Sequence, residues 1–182
     1  MRKNRIFYYI VEGENEKKFI EIIKEKEYIP SGKIRVFNVI QNKISTTFLR
    51  TLDSNTIVIL VYDTDIVKLD VLDENIKLIL KNKNVKDIIF IPQILCIEDE
   101  LVYSTDIKKI EELLDSKSKR EFKADFNNCS NLLEKLLKKG FDINKIWSRN
   151  SDGEFSKYQN SSQKIKKANC RFLKKIFCNW LS

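Results

Sequence analysis

The sequence contains no histidine. That removes Ser-His-Asp and Cys-His catalysis, together with every metal site that needs an imidazole. Any catalysis must run on carboxylates, lysines, hydroxyls, thiols or a hard metal ion. Glycine and proline are scarce, four and two in 182 residues, which leaves little room for long disordered linkers. The four cysteines, Cys96, Cys129, Cys170 and Cys178, form no C-x-x-C pair. With no histidine to complete a ligand set, a structural zinc is not supported, and free thiols in a reducing compartment are the simpler reading. Long apolar runs are missing as well. The basic start Met1–Arg5 leads into Ile6–Val11, and that run stops at Glu12. It is too short for a signal-peptide core or a membrane span. We read it as a buried strand of a cytoplasmic protein without a membrane partner.

The chain is 42% apolar and 33% charged, ordinary for a globular protein though rich in charge. Its length suits one domain, or one domain with an appendage, and buries a core without disulfides. The net charge of +8 is unevenly placed. Residues 1–116 hold 18 Lys and Arg against 20 Asp and Glu, whereas residues 117–182 hold 16 against 6. Acids on one segment and bases on another suit a polyanionic partner, although a lysine-rich surface also serves solubility alone.

Apolar runs alternate with helical patterns. Strands are expected at Arg5–Val11, Lys33–Ile40, Thr56–Tyr62 and Asp87–Ile94, with a turn at Pro30–Gly32. Helices are expected at Asn15–Lys26, Ser45–Leu52 and Val71–Lys81. Thr56–Tyr62 is β-branched and apolar on both faces, the profile of a central strand in a covered parallel sheet. The order β-α-β-α-β-α-β predicts an α/β fold, with a mostly parallel four-stranded sheet flanked by helices. After about residue 100 the pattern turns to helices and loops. Helices are expected at Asp106–Leu114 and Asn131–Lys139, the latter closed by Gly140. Ser148–Gln163 reads as a mobile loop. A last helix is expected over Ser161–Leu181, with Ile165, Ala168, Phe172, Ile176 and Trp180 on one side and lysines between them. Residues 1–100 then form a catalytic domain, and 101–182 a basic helical region packed on it.

Two acidic clusters sit at strand ends. The first strand runs into Glu12-Gly13-Glu14-Asn15-Glu16, and the third into Asp63-Thr64-Asp65. Sites in parallel α/β sheets form at the carboxyl ends of strands, above all at a topological switch point. If the first and third strands are neighbours, Glu12, Asp63 and Asp65 converge. Their mutual repulsion is relieved by proton uptake or by a divalent cation. Carboxylate oxygens suit Mg²⁺ or Mn²⁺, and Gly13 lets backbone approach a phosphate. Glu16 would face the same pocket or serve the first turn of the helix. Glu98, after the fourth strand, reads either as a further ligand or as the acidic first turn of another helix.

An apolar strand ending in Glu12-Gly13, followed about 50 residues later by an apolar strand ending in Asp63-x-Asp65, resembles the Toprim superfamily of topoisomerases, primases, maturation ribonucleases and OLD-type nucleases. The agreement spans roughly residues 5–95. Glu12-Gly13-x-x-Glu16 is most similar to the OLD-type and RloB-like branch, which is often associated with bacterial defence against phage. The resemblance implies that Glu12 is a general acid/base or metal ligand, and that Asp63 and Asp65 hold Mg²⁺ or Mn²⁺. Glu98 corresponds to a Glu after the same strand in RloB-like proteins. There is no ATPase segment, so an ATPase, if needed, is a separate chain, and a homo-oligomer remains open.

The expected chemistry is metal-dependent hydrolysis of phosphodiester bonds in DNA or RNA. Lys157 or Lys164 would stabilise developing charge, and no motif marks Tyr158 as a nucleophile. Lys157, Lys164, Lys167, Arg171 and Lys174 would track the phosphate backbone, with Trp147 or Phe155 as stacking groups. Three rivals stand beside this. Asp63-Thr64-Asp65-Ile66-Val67 also fits a HAD-like phosphatase with Asp63 as nucleophile, though such motifs normally open the chain. A nucleotide-sugar transferase using the D-x-D leaves Glu12 unexplained. A non-catalytic nucleic-acid-binding or partner-regulating module would keep the shell without turnover.

Overall fold

The computed structural model describes residues 5–66 and 68–166. Four strands, β1 (Ile6–Val11), β2 (Gly32–Val36), β3 (Thr56–Asp63) and β4 (Val85–Gln93), form one sheet in the order β2-β1-β3-β4. Every pairing is parallel. The fold is therefore α/β with an all-parallel sheet, and β1 and β3 are neighbours, as the strand-end acids required.

Helices cover both faces. On one side lie α1 (Glu14–Glu25), α4 (Ile97–Tyr103), α5 (Lys119–Asn128) and α6 (Leu132–Lys138); on the other lie α2 (Thr46–Arg50) and α3 (Leu69–Leu80). The period-two pleat divides β3 between them. Ile57, Ile59 and Val61 face α1, while Val58, Leu60 and Tyr62 face α3. In α1, Phe19, Ile20 and Ile23 are buried at helical spacing, each contributing about 1.5–3 kcal/mol. The first core continues into residues 101–165 through Phe122, Phe126, Leu136, Trp147 and Ile165.

Three local expectations need correction. The turn before β2 falls at residues 26–29, and Gly32 opens the strand instead. A Cβ on Gly32 would lie 2.4 Å from the Phe7 carbonyl oxygen, so the close β1–β2 approach demands glycine. β2 stops at Val36, because Asn38 turns the chain by accepting at Oδ1 from the Ile40 and Gln41 N–H groups. Between residues 106 and 114 there is only a 3₁₀ turn at Ile110–Leu113. The α-helix comes earlier, as α4, and ends where the Ser104 and Thr105 hydroxyls donate back to the Leu101 carbonyl.

Two elements were not anticipated from the sequence. α5 carries only Phe122 and Phe126 inward, but Ser118 caps it by accepting from the Glu121 N–H at 3.2 Å. The 148–163 segment is packed rather than free of the fold. It holds a 3₁₀ turn at Gly153–Lys157, and Phe155 is buried against Tyr62. The Asn131–Lys139 helix and its Gly140 terminus, at φ +76°, match expectation. Of the closing helix, residues 163–166 are helical. The remainder, with Phe172, Ile176, Trp180 and the cationic Lys167, Arg171 and Lys174, lies outside the described residues. Among the described residues, no helix is long and apolar enough to cross a membrane.

The loop after β2 is held from α3. Buried Asn75 accepts from the Ile44 N–H at 2.8 Å and donates to the Val39 and Asn42 carbonyls at 2.9 and 2.8 Å. Asn75→Ala strands these groups and is expected to cost about 2–3 kcal/mol in urea unfolding. A change below about 0.5 kcal/mol would show that the loop does not depend on this side chain.

Candidate metal centre

The carboxyl ends of β1 and β3 and the start of α4 border one open cleft of about 340 Å³. Its walls carry Glu12, Glu16, Asp63 and Glu98, with Lys123 and Asn127 reaching in from α5. The sheet order brings Glu12 and Asp63 together, because β1 and β3 pair side by side up to Val11 and Val61. Glu16 joins them from the first turn of α1, and Glu98 from the first turn of α4. Glu98 thus sits in the acidic first turn of a helix, and it also lines the cleft. Asp65, expected to converge with Glu12 and Asp63, is exposed beyond β3 and does not line the cleft, although its charge acts on both.

Glu12 is tightly held. Its Oε2 accepts from the Asp63 N–H at 3.0 Å and its Oε1 from the Asn38 amide at 2.6 Å. Asn38 thereby joins the β2 loop to the site. Thr64, the middle residue of Asp63-Thr64-Asp65, pins the β3 end to β4. Its hydroxyl donates to the Gln93 carbonyl at 2.8 Å and accepts from the Leu95 N–H at 3.0 Å. Glu98 Oε1 accepts from Asn15 at 3.4 Å and lies 3.6 Å from the Lys123 ammonium. Asn127 donates to Asn15 at 2.7 Å, so α1, α4 and α5 share one polar rim.

Electrostatics sharpen the picture. Burial, then the charges of Glu16, Glu12, Asp65 and Glu98, push Asp63 up to about 9. Burial, then Glu98 and Glu12, push Glu16 up to about 7; it is 5% exposed. Glu12 is raised by burial and by Asp65, against the bonds from Asp63 and Asn38. Without a cation, the cleft stores repulsion and takes up protons. The donors are all oxygen, which fits a hard divalent ion. Among the described residues, however, no three Asp, Glu or Cys side chains already converge as a ligand set. A cation would have to draw the carboxylates inward.

The raised values have a measurable consequence. The folded chain holds protons that the unfolded chain has released, so stability falls as pH rises toward about 9. Asp63→Asn cannot ionise and escapes its share of that loss. In EDTA, the melting temperature of the variant is expected to gain on wild type from about pH 6 to about pH 9. A difference constant across that range would show that Asp63 ionises normally.

Of the cations expected from the sequence, Lys157 and Lys164 lie elsewhere, and Lys167, Arg171 and Lys174 fall outside the described residues. Lys157 pairs with Asp73 of α3 at 2.7 Å, and the Tyr158 hydroxyl donates to the same carboxylate. Lys164 sits 3.7 Å from Asp87, near the opposite end of β4 from the cleft. Trp147 and Phe155 are buried in the two cores and cannot stack on a base. Lys123, Asn38, Asn15 and Asn127 were not anticipated. Asn38 had a signal, a polar residue closing an apolar strand; Lys123 had none, being one of many lysines. Compared with family models, with curated proteins and with solved structures, the chain matches none.

Proposed function

We propose that the chain is a metal-dependent nuclease that hydrolyses phosphodiester bonds in the cleft at the β1 and β3 ends. The observation that supports this best is the gathering of Glu12, Glu16, Asp63 and Glu98 around one open cleft, with Asp63 and Glu16 driven above the usual carboxylate range. Such a group is poorly stable without a cation and well suited to one. Glu12, Asp63 and Glu98 would hold Mg²⁺ or Mn²⁺, with the charges of Glu16 and Asp65 adding to the attraction. A bound ion would supply charge neutralisation and a water of lowered pKa.

The chain's own groups supply the rest. The bonds from Asn38 and the Asp63 N–H fix Glu12 in one orientation, the condition for accepting a proton at a defined place. Lys123, 63% exposed, is free to shift from Glu98 toward an incoming phosphate. A phosphatase with Asp63 as nucleophile is less well served, since burial, then its acidic neighbours, lower its ionised fraction. In keeping with the Toprim-like reading, a role in phage defence and a separate ATPase partner belong to the same proposal.

The test is cleavage of labelled single- and double-stranded DNA and of structured RNA in Mg²⁺, Mn²⁺ or EDTA. Cleavage that needs the metal and disappears in Glu12→Gln and Asp63→Asn is expected. Salt-sensitive binding without cleavage, unchanged in both variants, would move the reading to a non-catalytic binding module.

A further inference from the structure

Gln93 closes β4 directly opposite Asp63 in the sheet register, and it is fully buried. With its amide oriented so that both polar atoms are satisfied, Nε2 donates to Asp63 Oδ1 at 2.9 Å, and Oε1 accepts from the Trp147 indole N–H at 3.3 Å. Trp147 is 1% exposed and packs edge-on against Phe19 of α1 at 5.6 Å. Its backbone sits at φ +53°, in the left-handed region. A bulky side chain there costs about 1–3 kcal/mol and persists only when the surroundings over-determine it.

They do so here. The Trp147 N–H donates to Glu100 Oε2 at 3.0 Å. Its carbonyl accepts from Asn160 at 2.9 Å and from the Ser162 hydroxyl at 2.6 Å. One residue beyond Gln93, the Ile94 N–H donates to Glu100 Oε1 at 3.0 Å, so Glu100 ties the end of β4 and the Trp147 turn to one carboxylate. A strained residue pinned at three points aims its only polar side-chain atom at the amide that holds Asp63.

We propose that Trp147 and Gln93 are positioning residues for Asp63, a relay through which the segment after α6 sets the orientation of the carboxylate in the cleft. Gln93 occupies Oδ1, which leaves Oδ2 as the oxygen open to a cation in the cleft that Asp63 lines. Trp147 keeps the Gln93 amide from turning over. The importance of the relay for activity rests on the nuclease reading; its existence does not.

The test uses the full chain and needs neither substrate nor metal. The protein has two tryptophans, so the two indole N–H signals in a ¹H–¹⁵N spectrum are assigned with Trp180→Phe. Asp63→Ala is expected to move the Trp147 signal by more than its linewidth in an otherwise wild-type chain, and to leave it unmoved in a Gln93→Leu background. An unmoved signal in the first case, or an equal shift in both, overturns the relay. A second arm is independent of Gln93→Leu folding. Trp147→Phe keeps the ring and loses the N–H, and is expected to raise the Mg²⁺ concentration for half-maximal cleavage roughly tenfold, with little change in rate at saturation. An unchanged Mg²⁺ requirement in a cleaving protein also overturns the proposal. If wild type neither binds Mg²⁺ nor cleaves, the nuclease reading fails, and the spectral arm still decides the relay.

Discussion

Asp63→Asn is expected to lower metal-dependent cleavage by roughly 10³-fold, about 4 kcal/mol of transition-state stabilisation, while leaving the fold intact. Asn is nearly the same shape and keeps an oxygen to accept from Gln93, so the β3–β4 junction is preserved. What disappears is the carboxyl group at the centre of the cluster, which burial and the charges of Glu16, Glu12, Asp65 and Glu98 keep protonated near neutral pH unless a cation takes the proton's place. Asn needs neither proton nor cation, so the variant is spared the cost of taking up a proton on folding. The variant is therefore expected to bind Mn²⁺ weakly, yet to melt at or above wild type in EDTA near neutral pH. Loss of activity with a gain in metal-free stability separates a site residue from a core residue. Mn²⁺ titration followed by electron paramagnetic resonance, beside thermal melting, reads both quantities. Wild-type Mn²⁺ affinity in the variant would remove Asp63 from the ligand set.

The largest effect on stability is expected at Glu100. Its carboxylate is 0% exposed and accepts from the Ile94 N–H, the Trp147 N–H and Arg149 Nη2, the last at 2.9 Å. Glu100→Ala leaves two buried N–H groups without acceptors and a part-buried guanidinium, stacked over Tyr103, without its carboxylate. Breaking such a pair from one side costs about 3–5 kcal/mol. Glu100→Gln keeps part of the acceptor capacity and is expected to cost less. The surface pair Lys138–Glu134, at 71% and 58% side-chain exposure, serves as the control; its removal is expected to change stability by about 0.5 kcal/mol or less. Urea midpoints measure all three. Near-equality of Glu100→Ala with the control would mean that the 142–149 segment is held by apolar packing alone.

The site was legible in the sequence where it depended on strand ends. Glu12 and Asp63 each follow a buried run, and the end of a run marks the end of a strand. Asp65 was placed in the cluster by the same logic and does not line the cleft, because the chain leaves the sheet after Asp63. Gln93 also ends a strand, after Ile88–Pro92, yet a neutral amide carries no charge signal and went unremarked. α5 was missed because Phe122 and Phe126 make a thin apolar stripe among charged residues. Its signal was Ser118-Lys119-Arg120-Glu121, a helix-start pattern in which Ser118 caps the Glu121 N–H and Glu121 Oε2 accepts from the Lys117 N–H at 2.7 Å.

The sequence alone determined the alternation of strands and helices, the parallel sheet that follows from it, and the acids at the ends of β1 and β3. These depend on periodicity and run length, which act over a few neighbouring residues. Only the tertiary structure decided that Glu16 and Glu98 complete the cleft, that Lys123 rather than Lys157 or Lys164 borders it, and that Trp147 lies buried behind Asp63. Those outcomes depend on which helix packs against which part of the sheet. Apolar helix faces are nearly interchangeable as sequence patterns, and the partner of each is chosen by shape and by buried hydrogen bonds between residues as distant as Glu100 and Trp147.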